Sequence, residues 1–189
     1  LIWPQSMFGY ETKPVNFKEK KDIILINANK WSPFPKELYS QRDNIIRFLE
    51  SKPWISFDLY GRGWNKSNKK QKIMWYKPYT SYQGEIWIFE KIEKMSQYKF
   101  SICFENMSHQ QGYITEKIRD SFKAKCVPIY RGAENITDYI PENCFIDYRK
   151  FKNNDNLLEY LNTMEESIYN NYITNIEYFL STDDAKKWF

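Results

Sequence analysis

Between an apolar run at residues 100–104 (FSICF) and an amphipathic stretch that opens near Ile114, the chain gathers Asn106, Tyr113, Thr115, Glu116 and Lys117. A lysine beside a helix start suits an anion. First-turn N–H groups have no intrahelical partner, and the positive end of the helix adds to the charge of Lys117. Gly112, just before the helix, lets the backbone come close to a bulky anion with no side chain intervening. Glu116 would repel phosphate but can accept hydrogen bonds from sugar hydroxyls. Such a mixed pair suits a ligand with one charged end and one polyhydroxyl end, a nucleotide sugar. The same residue types also serve capping and solubility at any helix start, and Asn106 alone would serve as a turn residue, so spacing by itself leaves both readings open.

To act together these residues need a strand ending near 104, a helix from about 115, and a strand at 126–130. Ile114, Ile118 and Phe122 recur at i, i+4, i+8 and form the stripe that faces the sheet, with Glu116, Lys117 and Asp120 away from it. Upstream, residues 22–27 (DIILIN) read as a strand buried on both faces, and 54–60 (WISFDLY) as a second one closed by Gly61 and Gly63. Asn29, after the first strand, and Gly61, after the second, fall at the same carboxyl edge and join the ligand-contact candidates. Helical spacing is expected over 36–51, with Ile45, Phe48 and Leu49 buried and Arg42 one turn earlier, and over 83–97 through Ile86, Phe89, Ile92 and Met95. Residues 144–147 read as a strand, and 156–167 and 169–180 as helices. At least four alternations of strand and helix predict an α/β fold, a parallel sheet with helices on both faces.

The 189 residues suffice for one well-cored domain. Aromatic residues make up 19% of the chain, more than a core needs, leaving Tyr and Trp for ligand contacts. The net charge of +4 suits a small anion, a membrane surface or nucleic acid equally. Cys103, Cys126 and Cys144 lie apart with no CxxC pattern and are expected as buried thiols of a reducing compartment. No apolar run is long enough to span a bilayer. The basic run 66–77, with Trp75 and Tyr76 inside it, reads as a solvated loop, with peripheral contact to an anionic membrane as its alternative use. His109, the only histidine, is expected in solvent rather than as a base. No DxD pattern ends a strand, so neither a metal nor a cofactor is expected; Asp183 and Asp184 read as a helix start.

In order, FEN (104–106), YITEK (113–117), VPIYRG (127–132), Tyr139 with Pro141, and CFIDYRKF (144–151) together resemble the signature of the α-1,3/1,4-fucosyltransferases, glycosyltransferase family ten. The likeness covers about 50 contiguous residues, and the 36–51 helix and YGR (60–62) look like the family's preceding segment. The resemblance implies a GT-B type enzyme whose C-terminal, Rossmann-like half binds GDP-fucose. It divides the chain into an interdomain lead-in (1–21), a donor-binding domain (22–180) and a C-terminal segment (181–189). It further implies that Arg42, seven residues before Leu49, contacts the pyrophosphate, and that Asn106, Tyr113, Glu116 and Lys117 surround the diphosphate, ribose and fucose. One departure is visible: Asn106 and Lys117 are eleven residues apart where the family commonly has ten, so the intervening loop is one residue longer.

The implied activity is inverting transfer of L-fucose from GDP-fucose to a glycan hydroxyl. Arg42 and Lys117 stabilise the leaving diphosphate, and the general base and glycan acceptor site belong to an N-terminal half not present in this chain. Removing either cation is expected to weaken GDP binding without unfolding the protein. A non-catalytic nucleotide-sugar or carbohydrate-binding module is the alternative; nucleic acid is not expected as a partner. Asn106 begins an N-x-S sequon, and a glycan there would block the site, so a cytoplasmic bacterial or viral setting is expected over a Golgi lumen.

Overall fold

The computed structural model describes residues 15–66 and 77–188, so most of the basic run and most of the lead-in segment lie outside the described residues. Six strands form one parallel sheet: β1 (Lys21–Ile26), β2 (Phe57–Tyr60), β3 (Tyr82–Gly84), β4 (Tyr98–Phe104), β5 (Val127–Arg131) and β6 (Ile146–Asp147). Their order across the sheet is β3-β2-β1-β4-β5-β6, with every pairing parallel. This is the Rossmann order. Its direction of progression reverses between β1 and β4, and in open sheets of this order ligands bind in the crevice outside the carboxyl ends of the strands at that reversal.

Six α-helices accompany the sheet: α1 (Tyr39–Glu50), α2 (Ile88–Ser96), α3 (Glu116–Lys123), α4 (Asn154–Asn162), α5 (Glu166–Ser181) and α6 (Asp183–Trp188). β1 is buried on both faces, as its unbroken apolar run predicts. Ile23 and Leu25 pack with Ile45, Ile46 and Leu49 of α1, whereas Ile24 packs on the opposite face with Ile92 and Met95 of α2. On that opposite face Ile118 and Phe122 of α3 meet Tyr130, Ile176 and Phe179. The three cysteines are free and buried. Burial pushes each thiol up to about 12, so none is an activated nucleophile near neutral pH.

Two expectations are corrected. The strand expected from residue 54 starts at Phe57, because Trp54 sits in the preceding turn and is 65% exposed. The helix expected from residue 83 starts at Ile88. Residues 82–84 instead pair with Leu59 and Tyr60 of β2, and Phe89, assigned to the buried stripe, is exposed while Ile92 and Met95 are buried. An edge strand of three residues shows no periodicity to compete with the helical pattern that follows it.

Candidate active site

At the carboxyl edge of β4, the peptide after Phe104 feeds two hydrogen-bonded clusters. The first is built on Arg42, which α1 holds at 2% exposure. Arg42 donates from Nε and Nη2 to the Phe104 carbonyl (3.1 and 2.6 Å) and from Nη2 to Asn106 Oδ1 (3.0 Å). Asn106 in turn donates from Nδ2 to the Tyr113 hydroxyl at 3.0 Å. Its backbone carbonyl accepts the Leu38 N–H, and a β-bridge joins Met107 to Glu37, so the segment leading into α1 is laced to the loop after β4. Burial pulls the Arg42 guanidinium below its ordinary value, with Glu105 and Tyr39 opposing that shift.

The second cluster is built on Glu105, which is fully buried. Its carboxylate accepts the Thr115 N–H (2.8 Å), the Thr115 hydroxyl (2.8 Å to Oε2) and Lys117 Nζ (2.9 Å). Lys117 also donates to Thr115 Oγ1 at 2.7 Å and lies 3.8 Å from Glu116 Oε1. Because Thr115 turns its hydroxyl to Glu105 and Lys117, it makes no side-chain cap to the first turn of α3. Burial works against the charge on Glu116, yet Lys117 and Lys91 outweigh it and hold that carboxyl below its ordinary range.

The expected residues thus divide. Arg42, Asn106, Tyr113, Thr115, Glu116 and Lys117 come together around the end of β4, on the β4 side of the crevice. Asn29 and Gly61 lie on the β2 side, where they hold one loop to another. Asn29 donates from Nδ2 to the carbonyls of Gly63 (3.1 Å) and Lys66 (3.0 Å). Gly61, at φ +126°, sits so close to the chain that an added Cβ would meet the Asn27 carbonyl oxygen at 2.2 Å. Glycine is needed there for backbone packing.

Three further differences concern chemistry. Lys117 is not a free cation, since Glu105 matches its charge; nor are Lys117 and Asp120 on an open polar face. With Arg119 they are buried at 7–8% exposure, and Asp120 is paired with Lys91 at 2.7 Å. His109 is exposed, as expected, but not unpartnered: its Nδ1 pairs with Glu134, while Gly112 N–H donates to Asn135 Oδ1 at 2.9 Å. These two ties dock the loop 107–112 on the segment after β5, and positive φ at His109 (64°) and Gly112 (66°) lets that loop close. Glu105 was the residue whose importance the sequence understated. The strand alternation gave a signal, because Cys103, packed with Ile118 and Phe122, and Glu105, bound to Thr115 and Lys117, share the face toward α3. Among the described residues, no group of three or more His, Cys, Asp or Glu side chains is placed to hold a metal ion.

Residues 17–180 match the model for glycosyltransferase family 10 (fucosyltransferase), C-terminal part. Among curated proteins, the chain is 36% identical over 100 residues to an alpha-(1,3)-fucosyltransferase of Helicobacter pylori, a match covering 52% of this chain and 20% of that one. It is 28% identical over 169 residues to a 4-galactosyl-N-acetylglucosaminide 3-alpha-L-fucosyltransferase of Pan troglodytes, covering 87% of this chain and 39% of the relative. The chain therefore spans between about a fifth and two fifths of the length of these relatives. A crystal structure of an alpha1,3-fucosyltransferase with GDP-fucose shares its fold at a TM-score of 0.56 and 19% identity, over 87% of this chain and 48% of that one.

Proposed function

The chain belongs to glycosyltransferase family 10, the fucosyltransferases, and from that membership we propose that it forms the GDP-fucose-binding part of an enzyme that transfers L-fucose to a glycan hydroxyl. The observation that carries this reading is the pair of clusters at the β1/β4 crevice, which fixes Asn106, Tyr113, Thr115, Glu116 and Lys117 around the start of α3. Transfer with inversion needs the leaving diphosphate stabilised and a proton removed from the acceptor. For the first, the N–H groups of the α3 first turn are preorganised, with Lys117 fixed beside them by Glu105 and Thr115, and their interaction strengthens as charge grows on the departing phosphate. Arg42 acts chiefly through Asn106, whose amide it orients toward Tyr113.

For the second, Glu105 is a poor candidate, being buried and bound to Lys117 and Thr115. We assign the general base, with the glycan acceptor site, to sequence beyond these 189 residues. Engagement of the Asn106 side chain by Arg42 and Tyr113 argues against a glycan on that sequon. No helix among the described residues is long and apolar enough to cross a membrane. Calorimetric titration of the protein with GDP and GDP-fucose tests the donor-site reading: saturable one-to-one binding of both is expected, and absence of heat at millimolar nucleotide would contradict it.

A further inference from the structure

We propose that Arg131 is a further donor-contacting residue, its guanidinium held over the Tyr148 ring to receive the diphosphate of the nucleotide sugar. The inference rests on the donor-site reading above and adds a residue to it. Arg131 is the last residue of β5 and stands in register with Phe104, the residue whose carbonyl Arg42 holds. Its own carbonyl accepts the Glu105 N–H at 2.7 Å, so the backbones of Arg131 and Glu105 are joined at the carboxyl edge, one strand along from β4.

Three cations around the ends of β4 and β6 are engaged by protein acceptors. Arg42 is bound to Phe104 and Asn106, Lys117 to Glu105 and Thr115. Arg149 is bound to Asp147 at 2.7 Å and to the Glu134 carbonyl at 3.0 Å. By contrast, among the described residues no hydrogen bond or ion pair involves the side chain of Arg131. Its contact is the Tyr148 ring, 5.2 Å from the guanidinium carbon. That ring is itself fixed, by a 2.7 Å hydrogen bond from its hydroxyl to Asn154 Oδ1 and by an edge-on contact with Phe104 at 4.8 Å. A fixed platform leaves the planar fork of Arg131 with less freedom to lose on meeting an anion.

Charge balance points the same way. Arg42 and Lys117 are matched by Glu105 and Glu116, so the two clusters together offer a diphosphate no net positive charge. Arg131 supplies it. Burial lowers the pKa of Arg131, with Tyr148 opposing, which is the state of a partly desolvated cation lacking a counter-ion. Asp147, the carboxylate whose field reaches it, already accepts the Arg149 backbone N–H and side chain. A guanidinium suits phosphate oxygens because it can donate two parallel bonds.

Calorimetry on the full chain with GDP and with guanosine separates a phosphate contact from a structural effect. Arg131→Gln is expected to weaken GDP by about tenfold or more while leaving guanosine unchanged, as loss of a charge-assisted bidentate contact predicts. Arg131→Lys, which keeps the charge but loses the fork, should fall between wild type and Arg131→Gln, and it decides the matter if the Gln variant does not fold. Wild-type GDP affinity in the variants, or equal weakening of GDP and guanosine, would overturn the role of Arg131 alone. Failure of the wild type to bind GDP would overturn the donor-site reading and the role of Arg131 together.

Discussion

Glu105 and Lys117 are each built for the other. An isolated charge at either position would be buried without a partner, at a cost of about 3–5 kcal/mol. Glu105→Gln keeps an acceptor for Thr115 but leaves Lys117 with a neutral partner; Lys117→Met does the converse. Each single variant is expected to lose stability on that scale. The double variant should lose clearly less than the sum, and denaturant unfolding of the four proteins measures the coupling. Strict additivity would mean that the pair is not coupled. The same reasoning revises the expectation that Lys117→Ala and Arg42→Ala spare the fold. Arg42→Ala strips donors from the Phe104 carbonyl and Asn106 Oδ1, on the order of 2–3 kcal/mol. At this scale the identities of the clustered residues were legible from FEN and YITEK, but their partners were not. Glu105 lies twelve positions before Lys117 and Arg42 lies sixty-four before Asn106, and no local periodicity reports contacts made across a fold.

At the scale of elements, the strand, loop, helix, strand unit around β4, α3 and β5 was readable because its strands are apolar throughout and its helix carries a clean stripe. β3 was not, being three residues at the sheet edge beside a stronger helical pattern, and the two faces of α3 were misjudged because α2 covers what looked like a solvent side. Where elements meet, Gly132 after β5 is as constrained as the charged residues. An added Cβ there would stand 2.5 Å from Glu105 Cγ and 2.5 Å from the Tyr130 hydroxyl, both on buried residues. Neither can retreat into solvent. Gly132→Ala is therefore expected to push Glu105 away from Thr115 and Lys117 and to destabilise the chain by about 1–3 kcal/mol, the usual cost of overpacking a tight site. Thermal melting checks the loss, and an unchanged melting temperature would show that the edge is looser than this geometry.

For the whole molecule, the parallel sheet follows from alternation of strand and helix, whereas the position of the crevice follows from strand order, which alternation does not give. Only with β1 and β4 adjacent do α1 and α3 bring Arg42 and Lys117 to opposite sides of the same strand end. The opposite, amino-terminal edge holds a cavity of about 170 Å³ lined by Phe17, Asp22, Lys99 and Met164, a competing location for a small ligand. The central claim is that the nucleotide sugar binds at the carboxyl edge, and the most direct test is to titrate isotopically labelled protein with GDP-fucose and map the amide shifts. Saturable shifts are expected at 105–117 and 131–135, with residues around Lys99 and Met164 unmoved; shifts confined to the amino-terminal edge, or none at saturating nucleotide, would contradict the account.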